Sequence, residues 1–180
     1  MFLFNGFSMG FIQKVDRARK LSIAGSPLYY HGSLDDFSEF SKQGDGHHGK
    51  GYYFTASRSD ALRYAKLGQF ITKRHAEKAI IYSVELSISK PYDPLSYEDA
   101  LHVAEHFGFT YSGYRGLAFH YKMLKDQMIK KQLATEDNFN EKLEKAGFDH
   151  IDNHKENYVV VFDPKNIKII DKQIQSQSPH

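Results

Sequence analysis

Ten histidines, twelve tyrosines and no cysteine bound the chemistry open to this 180-residue chain. Without Cys there is no disulfide, no thiolate nucleophile and no Cys-based zinc site, and the redox compartment is left open. His102-Val103-Ala104-Glu105-His106 has the H-x-x-E-H spacing of an inverted zinc-peptidase motif. On a helix its two histidines, at i and i+4, share one face and could share Zn²⁺. No third ligand is identifiable, so the simpler reading is an amphipathic helix with its polar residues outward. His47-His48 stand in KQGDGHHGKG, whose four glycines make a solvated loop the expectation. His31, beside Gly32 at the end of a Tyr-rich run, reads on its own as a satisfied strand-end histidine. Tyr53 alone reads as a core aromatic. The basic run KMLKDQMIKK at 122–131 reads as a solvated helix face, with a protein or RNA contact as the sharper alternative. There is no Walker-type phosphate loop and no Ser-His-Asp order.

These residues need elements to position them. Gly25-Ser26-Pro27 is a turn signal, followed by a short aromatic strand from Leu28 to His31. Tyr52 to Thr55 is β-prone, and Ser57 can cap a helix from Ser59 to Lys66 with Ala61, Leu62 and Ala65 inward. Ala79 to Ile88 is the strongest strand; Val84, Leu86 and Ile88 alternate with polar residues, the pattern of one buried face. Helices are predicted over 96–107, 116–133 and 135–146. The first has a capping-box-like Ser96 and Asp99, and the third is stopped by Gly147. Tyr158 to Phe162 and Ile167 to Ile170 are again β. Short strands around a helical middle indicate an α+β fold rather than regular βαβ alternation.

Composition fits one globular domain: 41% of residues are apolar and fourteen Phe join the twelve Tyr, which excludes a disordered chain. A net charge of +2 gives no overall field to recruit nucleic acid, though a small basic patch remains open. No apolar run approaches the ~18 residues of a membrane span. The opening MFLFNGFSMGFI lacks a basic start, so it is expected to be a first strand or docking segment rather than a signal peptide. Residues 12–21 suggest a short helix, and Lys172 to His180 a frayed polar tail. The expectation is a soluble protein, cytoplasmic or delivered into a target cell.

Two segments together carry a family resemblance. Tyr29-Tyr30-His31-Gly32-Ser33 resembles the [YW]HGS strand and turn of the poly(ADP-ribose) polymerase-like, diphtheria-toxin-type ADP-ribosyltransferases. Gly49-Lys50-Gly51-Tyr52-Tyr53-Phe54 is similar to that family's GKG-apolar-YF motif, and Tyr64 follows Tyr53 at the family's spacing of eleven residues. YVVVFDPKNIK, beginning at Tyr158, resembles the closing strand of bacterial and phage members. The order His, Tyr, late acidic strand matches the His-Tyr-Glu signature.

The resemblance implies a split β-sheet with an NAD cleft, and a helical segment at about 96–146 between the central and closing strands. It implies one domain over 1–180 with its core at about 26–171. NAD is the implied co-substrate, bound by His31, Gly32, Ser33, Gly51, Tyr53 and Tyr64. His31 would bond the adenosine-side ribose, the Gly32 backbone would hold the nicotinamide amide, and Tyr53 and Tyr64 would sandwich its ring. A closing-strand Glu would grip the nicotinamide ribose. A gapless alignment puts Tyr158 at that Glu position. Glu156, two residues earlier and on the same side of an extended strand, is therefore the expected catalytic carboxylate, ahead of Asp152 and Glu144. Ala61 stands where the family often has Ser.

The implied chemistry is physically coherent. Cleaving the bond to nicotinamide develops positive charge on the ribose, as in glycoside cleavage, and a carboxylate beside it acts most strongly in the transition state. Lys50 and Arg58 match a pyrophosphate in charge. No metal is needed. His31, Tyr53 and Tyr64 are expected to converge on one pocket. The implied activity is mono-ADP-ribosylation of a protein or nucleic-acid acceptor with release of nicotinamide. Water as acceptor would make the protein an NAD glycohydrolase toxin. The alternative of a different class is a non-catalytic module that binds NAD, ADP-ribose or RNA.

Overall fold

The computed structural model describes residues 27–41, 43–72, 78–116 and 119–176. The expected N-terminal strand or docking segment and the helix at 12–21 lie outside them. The period-two alternation of strands sorts the aromatic residues onto two faces of one sheet. In β1 (Leu28–Ser33), Tyr29 and His31 face one way and Tyr30 and Gly32 the other. In β3 (Gly49–Thr55), Tyr52 and Phe54 join the first face, Tyr53 and Thr55 the second.

Among the described residues eight strands form the sheet, in the order β5-β6-β7-β3-β1-β4-β8, with β2 (Gly44–Gly46) paired to β3. The others are β4 (Lys78–Leu86), β5 (Pro91–Tyr92), β6 (His150–Asn153), β7 (Tyr158–Val161) and β8 (Ile167–Ser176). Every pairing is antiparallel except β5 with β6. The first face packs Phe54, Tyr82, Val84, Val159 and Val161 together, and Phe40 from the segment after β1 covers them. Phe37 stacks on Tyr82 with ring centroids 4.2 Å apart.

Four helices among the described residues cover the second face. α1 (Arg58–Thr72) lies on β1 and β4. α2 (Tyr97–His106), α3 (His120–Lys130) and α4 (Phe139–Lys145) lie between β5 and β6 in sequence. They bury Val103, Leu124, Met128 and Leu143 against Ile151 and Val160. Each large aliphatic side chain so buried stabilises the fold by roughly 1.5–3 kcal/mol. α2 begins at the expected cap: the Ser96 hydroxyl accepts from the Asp99 amide at 3.0 Å. The observed α+β order, with helices α2 to α4 between β4 and β7 in sequence, follows the predicted arrangement.

The structure departs from the sequence-based expectations in four places. β4 is buried on both faces from Ala79 to Val84, because α1 covers the side where Ser83 points. The predicted loop at 42–51 contains β2 and half of β3, whose glycines pair as Gly44↔Gly51 and Gly46↔Gly49. β6 is a short polar strand with no sequence signal; its neighbours β5 and β7 impose the extended form. The tail expected to fray from Lys172 instead continues β8 to Ser176, paired with Lys78 of β4. As an edge strand, β8 needs only one ladder and tolerates polar side chains towards solvent.

Candidate active site

The ladder between β1 and β3 has a single register pair, Tyr30↔Thr55, against six pairs for β1–β4 and four for β3–β7. Next to that pair a side chain takes over from the backbone: His31 Nδ1 donates to the Tyr53 carbonyl at 2.8 Å. The carbonyl can only accept, so the proton sits on Nδ1 and leaves Nε2 of the neutral ring an acceptor. Burial lowers the His31 pKa, outweighing the opposing effect of the bond to Tyr53. The ring stands edge-on to Phe40 at 5.2 Å and beside Phe54 at 5.8 Å.

On the second face the seam is bordered by Gly32 and Tyr53. A Cβ on Gly32 would fall 1.9 Å from the Ala61 carbonyl oxygen and 3.1 Å from Ala65 Cβ, so α1 rests directly on the glycine backbone. Tyr64, three residues beyond Ala61, flanks that contact, is 45% exposed and carries the Arg63 guanidinium 5.7 Å above its ring. The expected convergence of the three side chains on one pocket is not observed. Alternation sends the His31 ring to the first face and the Tyr53 ring to the second, and the two residues meet through the Tyr53 carbonyl. Gly32, Tyr53 and the helix that carries Tyr64 share the second face.

The tip of the β2–β3 hairpin folds back over Tyr53. The Tyr53 hydroxyl donates to the Gly49 carbonyl at 2.6 Å and accepts from the His48 amide at 3.2 Å. A Cβ on Gly46 would lie 2.5 Å from the Tyr53 ring. Gly49, at φ +73, makes the turn in the left-handed region. Asn140 of α4 clamps this tip, its Nδ2 donating to the carbonyls of His48 (2.6 Å) and Lys50 (2.8 Å). The Tyr121 hydroxyl in turn donates to Asn140 Oδ1 at 3.0 Å.

His48 is wholly buried rather than solvated, because the hairpin inserts it among Phe119, Tyr121 and Tyr158. Its Nδ1 is hydrogen-bonded to the Tyr158 hydroxyl, and its Nε2 has no partner. Burial, helped by His47, lowers its pKa to about 4. Tyr158 itself is buried, with its ring centroid 6.0 Å from that of Tyr53. Burial raises its pKa; a hydrogen bond from the Asn153 side chain opposes this, while the charge of Glu156 and a hydrogen bond to it add to the rise.

Glu156 is not on the strand. It lies exposed in the β6–β7 turn, where its amide donates to Asn153 Oδ1 at 3.2 Å, and Asn157 at φ +58 breaks the extension before β7 starts. The premise that 156 and 158 alternate along one strand is thus corrected; Glu156 bears on Tyr158 through its charge, which adds to the rise in the tyrosine's pKa. Asp152, opposite Val159 in register, is on the other face and pairs with His154 at 3.2 Å.

The remaining sequence candidates have structural partners. Ser33 Oγ accepts from the Asp35 amide at 3.0 Å, closing the turn after β1. Gly51 lies under Val160, whose Cγ1 would be 2.3 Å from an added Cβ. Lys50 pairs with Asp137 at 3.1 Å and Arg58 donates to Gln173. His102 Nε2 bonds the Ala146 carbonyl at 3.0 Å, tying α2 to the end of α4, while His106 packs on Phe107. Among the described residues no group of three His, Asp or Glu could hold a metal ion, and no helix is long and apolar enough to cross a membrane.

Comparison with known proteins defines the class. The family described as ADP-ribosyltransferase in polyvalent proteins matches residues 24–177. The chain belongs to that family. No curated protein matches it. A solved structure titled "Crystal structure of an anti-CRISPR protein" aligns over 79% of this chain and 94% of its own, with 14% identity and a TM-score of 0.35. A superposition that loose carries no argument about fold or function.

Proposed function

We propose that the protein is an NAD-dependent mono-ADP-ribosyltransferase, passing ADP-ribose from NAD to a protein or nucleic-acid acceptor and releasing nicotinamide. The observation that supports this reading is the β1–β3 seam, where the ladder thins to one register pair and Gly32 and Tyr53 share the face that the helix bearing Tyr64 covers. In this reading the Gly32 backbone meets the nicotinamide amide, and Tyr53 and Tyr64 offer aromatic faces at about 0.5–1.5 kcal/mol per contact beyond burial. The neutral His31, its ring on the opposite face, acts by holding the Tyr53 carbonyl at the seam. Glu156 supplies the negative charge. As the ribose–nicotinamide bond breaks, its electron pair leaves with nicotinamide, and the sugar carries the positive charge that a carboxylate stabilises. The acceptor then bonds to the sugar carbon and gives up its proton.

One observation favours a second reading. Tyr158 is buried at the strand position where a gapless alignment expects the carboxylate, as suits a non-catalytic module that binds NAD, ADP-ribose or RNA. Calorimetry with NAD tests the binding shared by the NAD-dependent readings. His31→Ala should weaken NAD binding by about 1–3 kcal/mol, the scale of a lost polar contact in a buried site, and Tyr53→Ala by at least as much. Wild-type affinity in both variants contradicts the assignment of this seam.

A further inference from the structure

The pose of the Tyr53 ring is set by the tip of its own hairpin. The hydroxyl donates to the Gly49 carbonyl at 2.6 Å and accepts from the His48 amide at 3.2 Å. The backbone of Gly46 closes on the ring, where an added Cβ would lie 2.5 Å from Cζ. The ring is therefore only as fixed as residues 46–49 are. Strand pairing alone holds them weakly. β2 has three residues, all exposed, and its sequence Gly-Asp-Gly brings no apolar side chain to bury. A two-stranded ribbon of that kind is marginal unless another element packs on it.

That hold comes from α4. Asn140 is 6% exposed, and its Nδ2 donates to the His48 carbonyl at 2.6 Å and to the Lys50 carbonyl at 2.8 Å. The two bonds grip the backbone on either side of Gly49, whose carbonyl accepts from Tyr53. Only the amide nitrogen can face two carbonyls, and Oδ1 accepts from the Tyr121 hydroxyl at 3.0 Å, so the amide has one orientation. Gly49 lies directly on this pair: a Cβ there would be 3.3 Å from the Tyr121 hydroxyl oxygen and 3.5 Å from Asn140 Nδ2. His48 adds a side-chain bond to Tyr158, but the backbone around Gly49 is gripped by Asn140. An apolar residue at 140 would leave both carbonyls without this partner and the tip free to turn.

Resting on the reading that Tyr53 stacks on the nicotinamide ring, we propose that Asn140 is a positioning residue for nicotinamide, fixing the Tyr53 ring through the hairpin tip. Asn140 touches no substrate. It acts by holding Gly49 and His48, which hold the Tyr53 hydroxyl, so the ring is ordered when the chain folds rather than when NAD arrives. A ring ordered in advance costs the ligand less to bind. The effect concerns the nicotinamide half of NAD alone. ADP-ribose, which lacks that ring, gains nothing from the pose of Tyr53.

The test is calorimetry with NAD and with ADP-ribose on the full chain and on Asn140→Asp, Tyr53→Phe and the Asn140→Asp/Tyr53→Phe double variant. Asn140→Asp keeps the size of the side chain and removes both donors. Tyr53→Phe keeps the ring and removes the hydroxyl by which the tip holds it. Each should weaken NAD binding about 3–10-fold, the scale of ordering one side chain on binding, and leave ADP-ribose affinity unchanged. The double variant should lose no more than the larger single loss, because both changes break one chain of contacts. Wild-type NAD affinity in folded Asn140→Asp, an equal loss of ADP-ribose affinity, or losses that multiply in the double variant overturn the inference. If Asn140→Asp does not fold, Tyr121→Phe, which removes the bond to Asn140 Oδ1, takes its place. It should show a smaller loss confined to NAD, and wild-type NAD affinity there overturns the inference. A wild-type chain that binds no NAD defeats the NAD-dependent reading itself, and the inference with it.

Discussion

At the scale of single residues, the site depends on uncharged histidines. His31 and His48 both have pKa values lowered by burial, His48 to about 4 from an ordinary 6.5. The unfolded chain takes up a proton at each of these rings as pH falls through about 6.5, while the folded chain resists until lower pH, at His48 until about 4. The stability they confer is therefore complete above about pH 6.5 and is lost below it, for His48 as pH falls towards about 4. For His48 the loss amounts to about 3 kcal/mol at most. Urea titrations at pH 7 and pH 5 should show the midpoint falling with pH, and a smaller fall in His48→Phe. Equal pH sensitivity in wild type and variant would contradict the buried neutral state. His48 also marks a limit of sequence reading. Two histidines among four glycines look solvated, and the tip is held inward by partners distant in sequence, Asn140, 92 residues away, and Tyr158.

At the scale of elements, two contacts hold the site's walls. The first is α1 on β1. Gly32→Ala would drive a methyl group into the Ala61 carbonyl, which belongs to helix backbone and cannot rotate aside. Overpacking of this kind costs about 1–3 kcal/mol or more, so thermal unfolding should move down by several degrees. An unchanged melting temperature would contradict the close approach of helix and strand. The second contact is Asn140 with the hairpin. Asn140→Ala leaves the carbonyls of His48 and Lys50 and the Tyr121 hydroxyl without this partner. A loss of about 1–3 kcal/mol is expected in chemical denaturation, together with faster amide exchange at residues 44–51. Uniform exchange rates in wild type and variant would show that the clamp does not hold the tip. β1, β3, β4, β7 and α1 were legible because aromatic runs, alternation and glycine spacing are local signals. β2, β6 and the far end of β8 were not, since each is extended only by its neighbours in the sheet.

At the scale of the whole molecule, the family match runs from residue 24 to 177, and the β1–β3 ladder with its single register pair lies within that span. The placement of Gly32, Tyr53 and Tyr64 on β1, β3 and α1 was readable in advance, because aromatic runs and glycine spacing are local signals. The carboxylate was not: its place depends on where the β6–β7 turn ends, and Asn157 ends it one residue before Tyr158. The central claim is that this molecule cleaves NAD with the help of the Glu156 charge, and nicotinamide release measures it most directly. Wild type should release nicotinamide as NAD disappears. Glu156→Gln, nearly the same shape without the charge, should bind NAD as before but release nicotinamide about 100-fold more slowly or worse, a loss of roughly 2.7 kcal/mol in transition-state stabilisation. No nicotinamide from the wild-type protein, or equal rates from wild type and Glu156→Gln, would contradict the account.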